Sequence, residues 1–108
     1  MGEIKIIYKS DLEIFFNSLI YDLYSQEYFG FLESAIEYKE KIIHYIESNI
    51  GKALTREAPD KLKFLGSRYF FYKMNSYTTW FIFYEQKESN YLITDIFNNH
   101  YYLAKHLN

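Results

Sequence analysis

The chain has 108 residues, no cysteine and a formal net charge of −2, and nearly half of it is apolar, led by 13 tyrosines and 10 phenylalanines. This length suits one hydrophobic core, which makes a two-domain layout unattractive, and the aromatic content excludes the composition of a disordered chain. Without cysteine there can be no disulfide or thiolate metal site, and the lack of an apolar leader-like stretch or long apolar run leads us to expect one cytoplasmic domain over residues 1–108, not associated with membranes.

The charge is unevenly spread. Between Gly51 and Lys73 lie six basic residues (Lys52, Arg56, Lys61, Lys63, Arg68 and Lys73) against Glu57 and Asp60, so a segment of +4 sits in a chain whose remainder carries −6. Such a segment can attract a phosphate backbone even in an acidic protein, or can simply keep a hairpin solvated.

In chain order, residues 3–8, with Ile4, Ile6 and Ile7, read as a strand. Ser10-Asp11-Leu12-Glu13 has the spacing of a capping box, and Leu12, Phe15, Phe16, Leu19 and Leu23 then recur at helical spacing, which predicts a helix over 11–24. It stops before Tyr28-Phe29-Gly30. A second helix is predicted over 31–50, with Leu32, Ala35, Ile36, Ile42, Ile43, Ile46 and Ile50 on its apolar face. Gly51 is placed to end it as a left-handed C-cap, and the short link favours an antiparallel helix pair. Residues 53–60, with the only proline at Pro59, read as a loop. Beyond them the period becomes that of strands, over 62–65, 67–74, 78–85 and 91–97. The separators Asn75-Ser76-Tyr77 and 86–90 are short and polar, so consecutive antiparallel pairing is the economical topology. Residues 100–107 form a helical turn or two, or a tail. The fold class expected is α+β, in the order β-α-α-β-β-β plus a short C-terminal segment, with the helix pair packed on a mainly antiparallel sheet.

That order over the whole chain resembles the RelE/ParE superfamily of bacterial toxins. Lys61-Leu62-Lys63 followed by Gly66-Ser67-Arg68-Tyr69-Phe70-Phe71-Tyr72-Lys73 is similar to the superfamily's basic lead-in and its strand beginning with an arginine. Leu92-Ile93-Thr94-Asp95-Ile96-Phe97 followed by His100-Tyr101 is similar to its last strand and terminal motif. The resemblance implies the toxin of a toxin–antitoxin pair, needing no cofactor and neutralised by a cognate antitoxin protein. RelE-like members enter the ribosome and cut mRNA, whereas ParE-like members poison DNA gyrase and lack the nuclease residues. A non-toxic binding module on the same fold is a third expectation, because a fold does not fix a function.

Metal-independent RNA cleavage needs a base for the 2′-hydroxyl, a cation for the phosphate as charge builds, and an acid for the leaving oxygen. Arg68 suits the transition-state phosphate through its bidentate guanidinium. Lys61 and Lys63, two apart and on one face if extended, suit the RNA backbone, as does Lys73. His100, as an imidazole, suits acid or base work, Tyr101 suits stacking or proton transfer, and Asp60 or Glu57 suits the 2′-hydroxyl. Each has a plainer role: the lysines guarding a sheet edge, Arg68 pairing with Asp95 across strands, and His100 as a surface residue near His106. His44, among the apolar residues of the second helix, reads as packing. The three histidines lack the tight spacing of a metal site, and the helices are acidic opposite their apolar faces, unlike helices that bind membranes. Two departures from the family pattern bear on mechanism. Asn98-Asn99 stands where many members place arginine or lysine, and the helices are longer than in the most compact members.

Overall fold

A computed structural model of the chain describes residues 3–25, 32–52 and 55–107, with side chains described for 3–22, 33–52 and 55–107. Two helices lie on one face of a five-stranded mixed sheet, giving an α+β fold. The elements are β1 (Lys5–Tyr8), α1 (Ser10–Ser25), α2 (Leu32–Asn49), β2 (Arg56–Glu57), β3 (Arg68–Lys73), β4 (Thr79–Lys87) and β5 (Asn90–Asn98), with short 3₁₀ turns at Asp60–Leu62 and Tyr102–His106. The sheet order is β1-β5-β4-β3-β2; β1 runs parallel to β5 and the other pairs are antiparallel.

The helices form where the apolar period places them. Leu12 and Phe16 of α1, and Ala35, Ile42 and Ile46 of α2 with Ile50 just beyond it, are buried, and the largest of these side chains contribute about 1.5–3 kcal/mol each by leaving water. Helix α1 starts at the first residue of the proposed capping box, one residue before the predicted start at Asp11. Ser10 is already helical, and the Leu12 N–H bonds to the Lys9 carbonyl at 2.8 Å. Helix α2 ends as expected at Gly51, whose φ of +81° is the left-handed conformation that glycine adopts without penalty. The stretch Tyr28-Phe29-Gly30 lies outside the described residues.

The three-strand meander β3-β4-β5 is present, with β3 and β4 in continuous register and one irregularity between β4 and β5. At its first turn the Asn75 side-chain oxygen accepts the N–H groups of Tyr77 and Thr78 at 2.8 and 2.9 Å, the local bonding that makes asparagine a turn former. The second turn is two residues long, with Glu88 at φ 56°.

Two expectations are corrected. Residues 62–65 are not a strand: Leu62 closes a 3₁₀ turn with its N–H on the Pro59 carbonyl, and further turn bonds run from Leu65 to Leu62 and from Gly66 to Lys63. Apolar Leu62, Phe64 and Leu65 imitate a strand in sequence, but Pro59 sets the backbone for a turn and removes a ladder donor. Lys61 and Lys63 are therefore not on one face of an extended strand. Residues 53–60 are not wholly loop either, since Arg56 and Glu57 pair with Tyr69 and Arg68 as a short edge strand; Ala53 and Leu54 lie outside the described residues.

Both faces of the central strands are buried. On the helix face Phe70, Trp80, Ile82, Tyr84, Tyr91, Ile93 and Ile96 pack with the helices. On the back face Tyr69, Phe81, Phe83 and Phe97 pack beneath Ala58, Leu62, Ala104 and Leu107, so the two 3₁₀ turns cover this side and touch each other. A bulge in β5 makes room for them. Phe83 pairs with Asp95 and Tyr84 with Ile93, leaving Thr94 as an extra residue whose hydroxyl donates to the Leu65 carbonyl.

Candidate functional site

Alternation along β3 decides where its charged residues sit. Tyr69 and Phe71 belong to the back face and Phe70 and Tyr72 to the helix face, so Arg68 lies on the helix side and Lys73 on the back. Arg68 is exposed and donates to the Thr55 hydroxyl at 3.1 Å. It is directly opposite Glu57, whose carboxyl is held below its ordinary range chiefly by the hydrogen bond and charge of Lys63, with a smaller contribution from Arg68. Lys63 meets Glu57 at 2.9 Å and Asp60 at 3.6 Å, so much of the lead-in's charge is matched by its own two acids. Asp60 is almost fully exposed, and Lys61 has no partner among the described residues.

His100 and Tyr101 lie at the other end of the sheet. Asn98 pairs with Trp80, which pairs with Tyr72, four residues beyond Arg68. With about 3.3 Å per residue and about 4.8 Å per strand, the Arg68 and Asn98 backbones are about 16 Å apart. His100 is exposed, and its backbone N–H bonds to the Asn98 side chain at 2.9 Å. Tyr101 packs on Phe97 of the back face at 5.2 Å between ring centres and on Tyr102 at 4.9 Å. Desolvation and the neighbouring Tyr102 and Asp95 raise its hydroxyl pKa, the wrong direction for a phenol that must release a proton near neutrality. Lys73 belongs to this end: it pairs with Thr79, which exchanges bonds with Asn99, the N–H of Thr79 reaching the Asn99 side chain at 2.9 Å and the N–H of Asn99 reaching the Thr79 carbonyl at 3.0 Å.

The candidate residues thus fall into two groups. Thr55, Glu57, Asp60, Lys63 and Arg68 gather at the β2–β3 edge, while Lys73, His100 and Tyr101 gather beyond the Asn98 end of β5. The cross-strand pair Arg68–Asp95 does not form: Asp95 shares a register with Phe83 on the back face, and its carboxylate accepts the Ile96 N–H at 2.8 Å. Burial raises the pKa of that carboxyl, and Lys9 partly offsets the effect. His44 is on the exposed side of α2 beside Ser48, not in the core.

The chain matches no protein-family model, no curated protein and no solved structure.

Sequence reasoning missed a concavity on helix α2. It is a groove of about 430 Å³ on the outer side of α2, lined by Glu37, Glu40, Lys41, His44, Tyr45 and Tyr72 among others. Its floor is the stacked pair Tyr45–Tyr72, 4.3 Å between ring centres, with the Tyr45 hydroxyl donating to the Phe71 carbonyl at 3.1 Å. The available signal was the quarter-turn offset of Tyr45 from the buried Ile42–Ile46 stripe. No described helix is long and apolar enough to cross a membrane.

Proposed function

We propose that this chain is a RelE/ParE-type toxin that acts by gripping a macromolecular target, as the ParE branch grips DNA gyrase, and not by cutting RNA. The order β-α-α followed by an antiparallel meander, with both helices on one face, supports the family reading. The observation that carries the mode of action is the separation of about 16 Å of sheet between Arg68, on the helix side, and Asn98, which leads into His100 and into Tyr101 packed on the back face. In-line attack on one phosphate needs the stabilising cation and the proton-transfer groups within about 3 Å of the reacting atoms. An arginine side chain cannot close that gap through the sheet.

A second reading keeps RNA cleavage and rests on the closeness of Lys73 to the Asn99–Tyr101 segment. There Lys73 would serve as the phosphate cation in place of Arg68, with His100 as acid or base, on mRNA held in the ribosome.

Induced expression of the chain alone in bacteria tests both, with growth, mapped mRNA ends and plasmid supercoiling followed together. Growth arrest with altered supercoiling and no new mRNA ends is expected. In-frame mRNA cuts lost in Lys73→Ala and His100→Ala would replace the binding reading with the nuclease one, and normal growth would refute both in favour of a non-toxic binding module. Co-purification with a small cognate antitoxin is a corollary of the family reading.

A further inference from the structure

β1 is an edge strand, and its free edge has a definite pattern. The Lys5 and Lys9 N–H groups bond to the Ser89 and Ile93 carbonyls, both at 2.9 Å, so in this parallel ladder the odd residues face β5. The N–H and C=O groups of Ile4, Ile6 and Tyr8 therefore face outward, with no backbone partner among the described residues. Around them lie side chains unusual for a lone edge: Ile4 is 50% exposed and Ile7 44%, and Ile7 is in register with exposed Leu92 of β5.

From these features we infer that β1 is a self-complementary edge at which two copies of the chain pair antiparallel, centred on Ile6, to join their sheets into one of ten strands. The charge sequence selects both the occupant and the register. Centring on Ile6 pairs the outward groups of Ile6 with Ile6 of the second copy and those of Ile4 with Tyr8, six hydrogen bonds in all by the alternation of an antiparallel ladder. It sets Glu3 opposite Lys9 twice, and Lys5 opposite Ile7, leaving no like charges face to face. Shifting by one step in either direction also matches donors with acceptors, but one shift sets Lys5 opposite Lys5 and the other sets Lys5 opposite Lys9, each repulsive across a strand pair. Lysines on an edge ordinarily discourage pairing. Here they exclude the wrong registers and leave one open. The pairing also brings Ile7 and Leu92 of each copy beside the other's strand on the face away from the helices. Lys9 is available for it, since its contact with Asp11 is long, at 3.9 Å, and exposed. This inference is independent of the toxin reading.

The test is association by sedimentation equilibrium, with amide hydrogen exchange on the same samples. Wild type is expected to show a concentration-dependent dimer, with the Ile4, Ile6 and Tyr8 amides gaining protection as the dimer fills and the Lys5, Ile7 and Lys9 amides protected throughout. Lys9→Glu sets Glu3 against a second glutamate at two places and is expected to weaken association by about tenfold or more. Glu3→Lys combined with Lys9→Glu restores opposite pairing and is expected to recover it. Far-ultraviolet circular dichroism and urea unfolding of each variant separate lost pairing from lost folding. A wild type that is monomeric at every concentration would overturn the inference. So would a dimer indifferent to Lys9→Glu, or a double reversal, folded, that does not re-associate.

Discussion

Substituting Gly66 by alanine probes the contact that seats the lead-in segment on the back of the sheet. The backbone of Gly66 is not in the left-handed region, so the alanine is not strained by its own φ, and the effect is one of space. A Cβ there would stand 2.6 Å from the Thr94 hydroxyl and 3.0 Å from both the Phe83 Cβ and the Tyr84 N. Phe83 is fully buried and Tyr84 is held in the β4 ladder, so Thr94 is the group that must yield. Turning Thr94 away forfeits its bond to the Leu65 carbonyl, about 1 kcal/mol, and the residual crowding adds about 1–3 kcal/mol. The lower chain entropy of alanine in the unfolded state returns about 0.4–1 kcal/mol. A net loss of about 2 kcal/mol is expected, read as a lowered urea midpoint at unchanged slope. In Gly66→Ala with Thr94→Ala the crowding is relieved, so the double variant should lose less than the sum of the singles by about 0.5 kcal/mol or more. A Gly66→Ala change costing under about 0.5 kcal/mol, or strict additivity with Thr94→Ala, would refute this account of the seat.

Three further outcomes follow from the same geometry. Tyr38→Phe removes the acceptor of the buried Trp80 indole N–H, bonded at 3.1 Å, and should cost about 1–2 kcal/mol in urea unfolding followed by the fluorescence of the chain's one tryptophan; no loss would mean that the indole finds another acceptor. Tyr8, Tyr38 and Tyr45 have pKa values raised chiefly by desolvation, for Tyr8 with Glu47 adding to it. Their contribution is therefore intact below about pH 10, the unfolded phenol value, and is lost as pH rises through the folded values; Tyr8→Phe should flatten the alkaline fall in the urea midpoint, and an unchanged curve would contradict the assignment. Asp95 carries a carboxyl whose pKa is raised by burial, so its charge opposes folding at neutral pH. Asp95→Asn retains an oxygen for the Ile96 N–H and should stabilise by at most about 1 kcal/mol, allowing for its partial exposure, with destabilisation as the contrary result.

The helices were legible because Leu12, Phe16, Ile42 and Ile46 recur with the helical period, and because Gly51 has one physical reason to follow Ile50. The hairpins were legible because Asn75 carries its own turn chemistry. What misled at residues 62–65 was content without context: Leu62 and Leu65 are apolar because they plug the back face, not because they alternate in a sheet. The parallel pairing of β1 with β5 leaves no local mark, since its partners are some 85 positions apart, Lys5 beside Asn90. The candidate site was legible as residue types and illegible as a place. Alternation alone puts Arg68 on the opposite side from Tyr69, but which side bears the helices, and how far His100 lies along the sheet, depends on registers that only the assembled sheet defines. The Lys63–Glu57–Asp60 cluster likewise depends on the turn that brings the three together.

The placement of β1 also governs when the molecule can finish folding. Its ladder partner is the last strand of the meander, so a chain emerging from the ribosome can form α1 and α2 early but must hold its first strand unpaired until β5 has been made. Closing so long a loop is slow compared with helix formation, because the entropy of bringing the ends together is lost before any contact rewards it. During synthesis the apolar edge of β1 and the inner face of the helices wait without a sheet, a window in which chaperones or a second nascent chain can engage them. Activity that depends on the completed sheet thus begins only after β5 is in place.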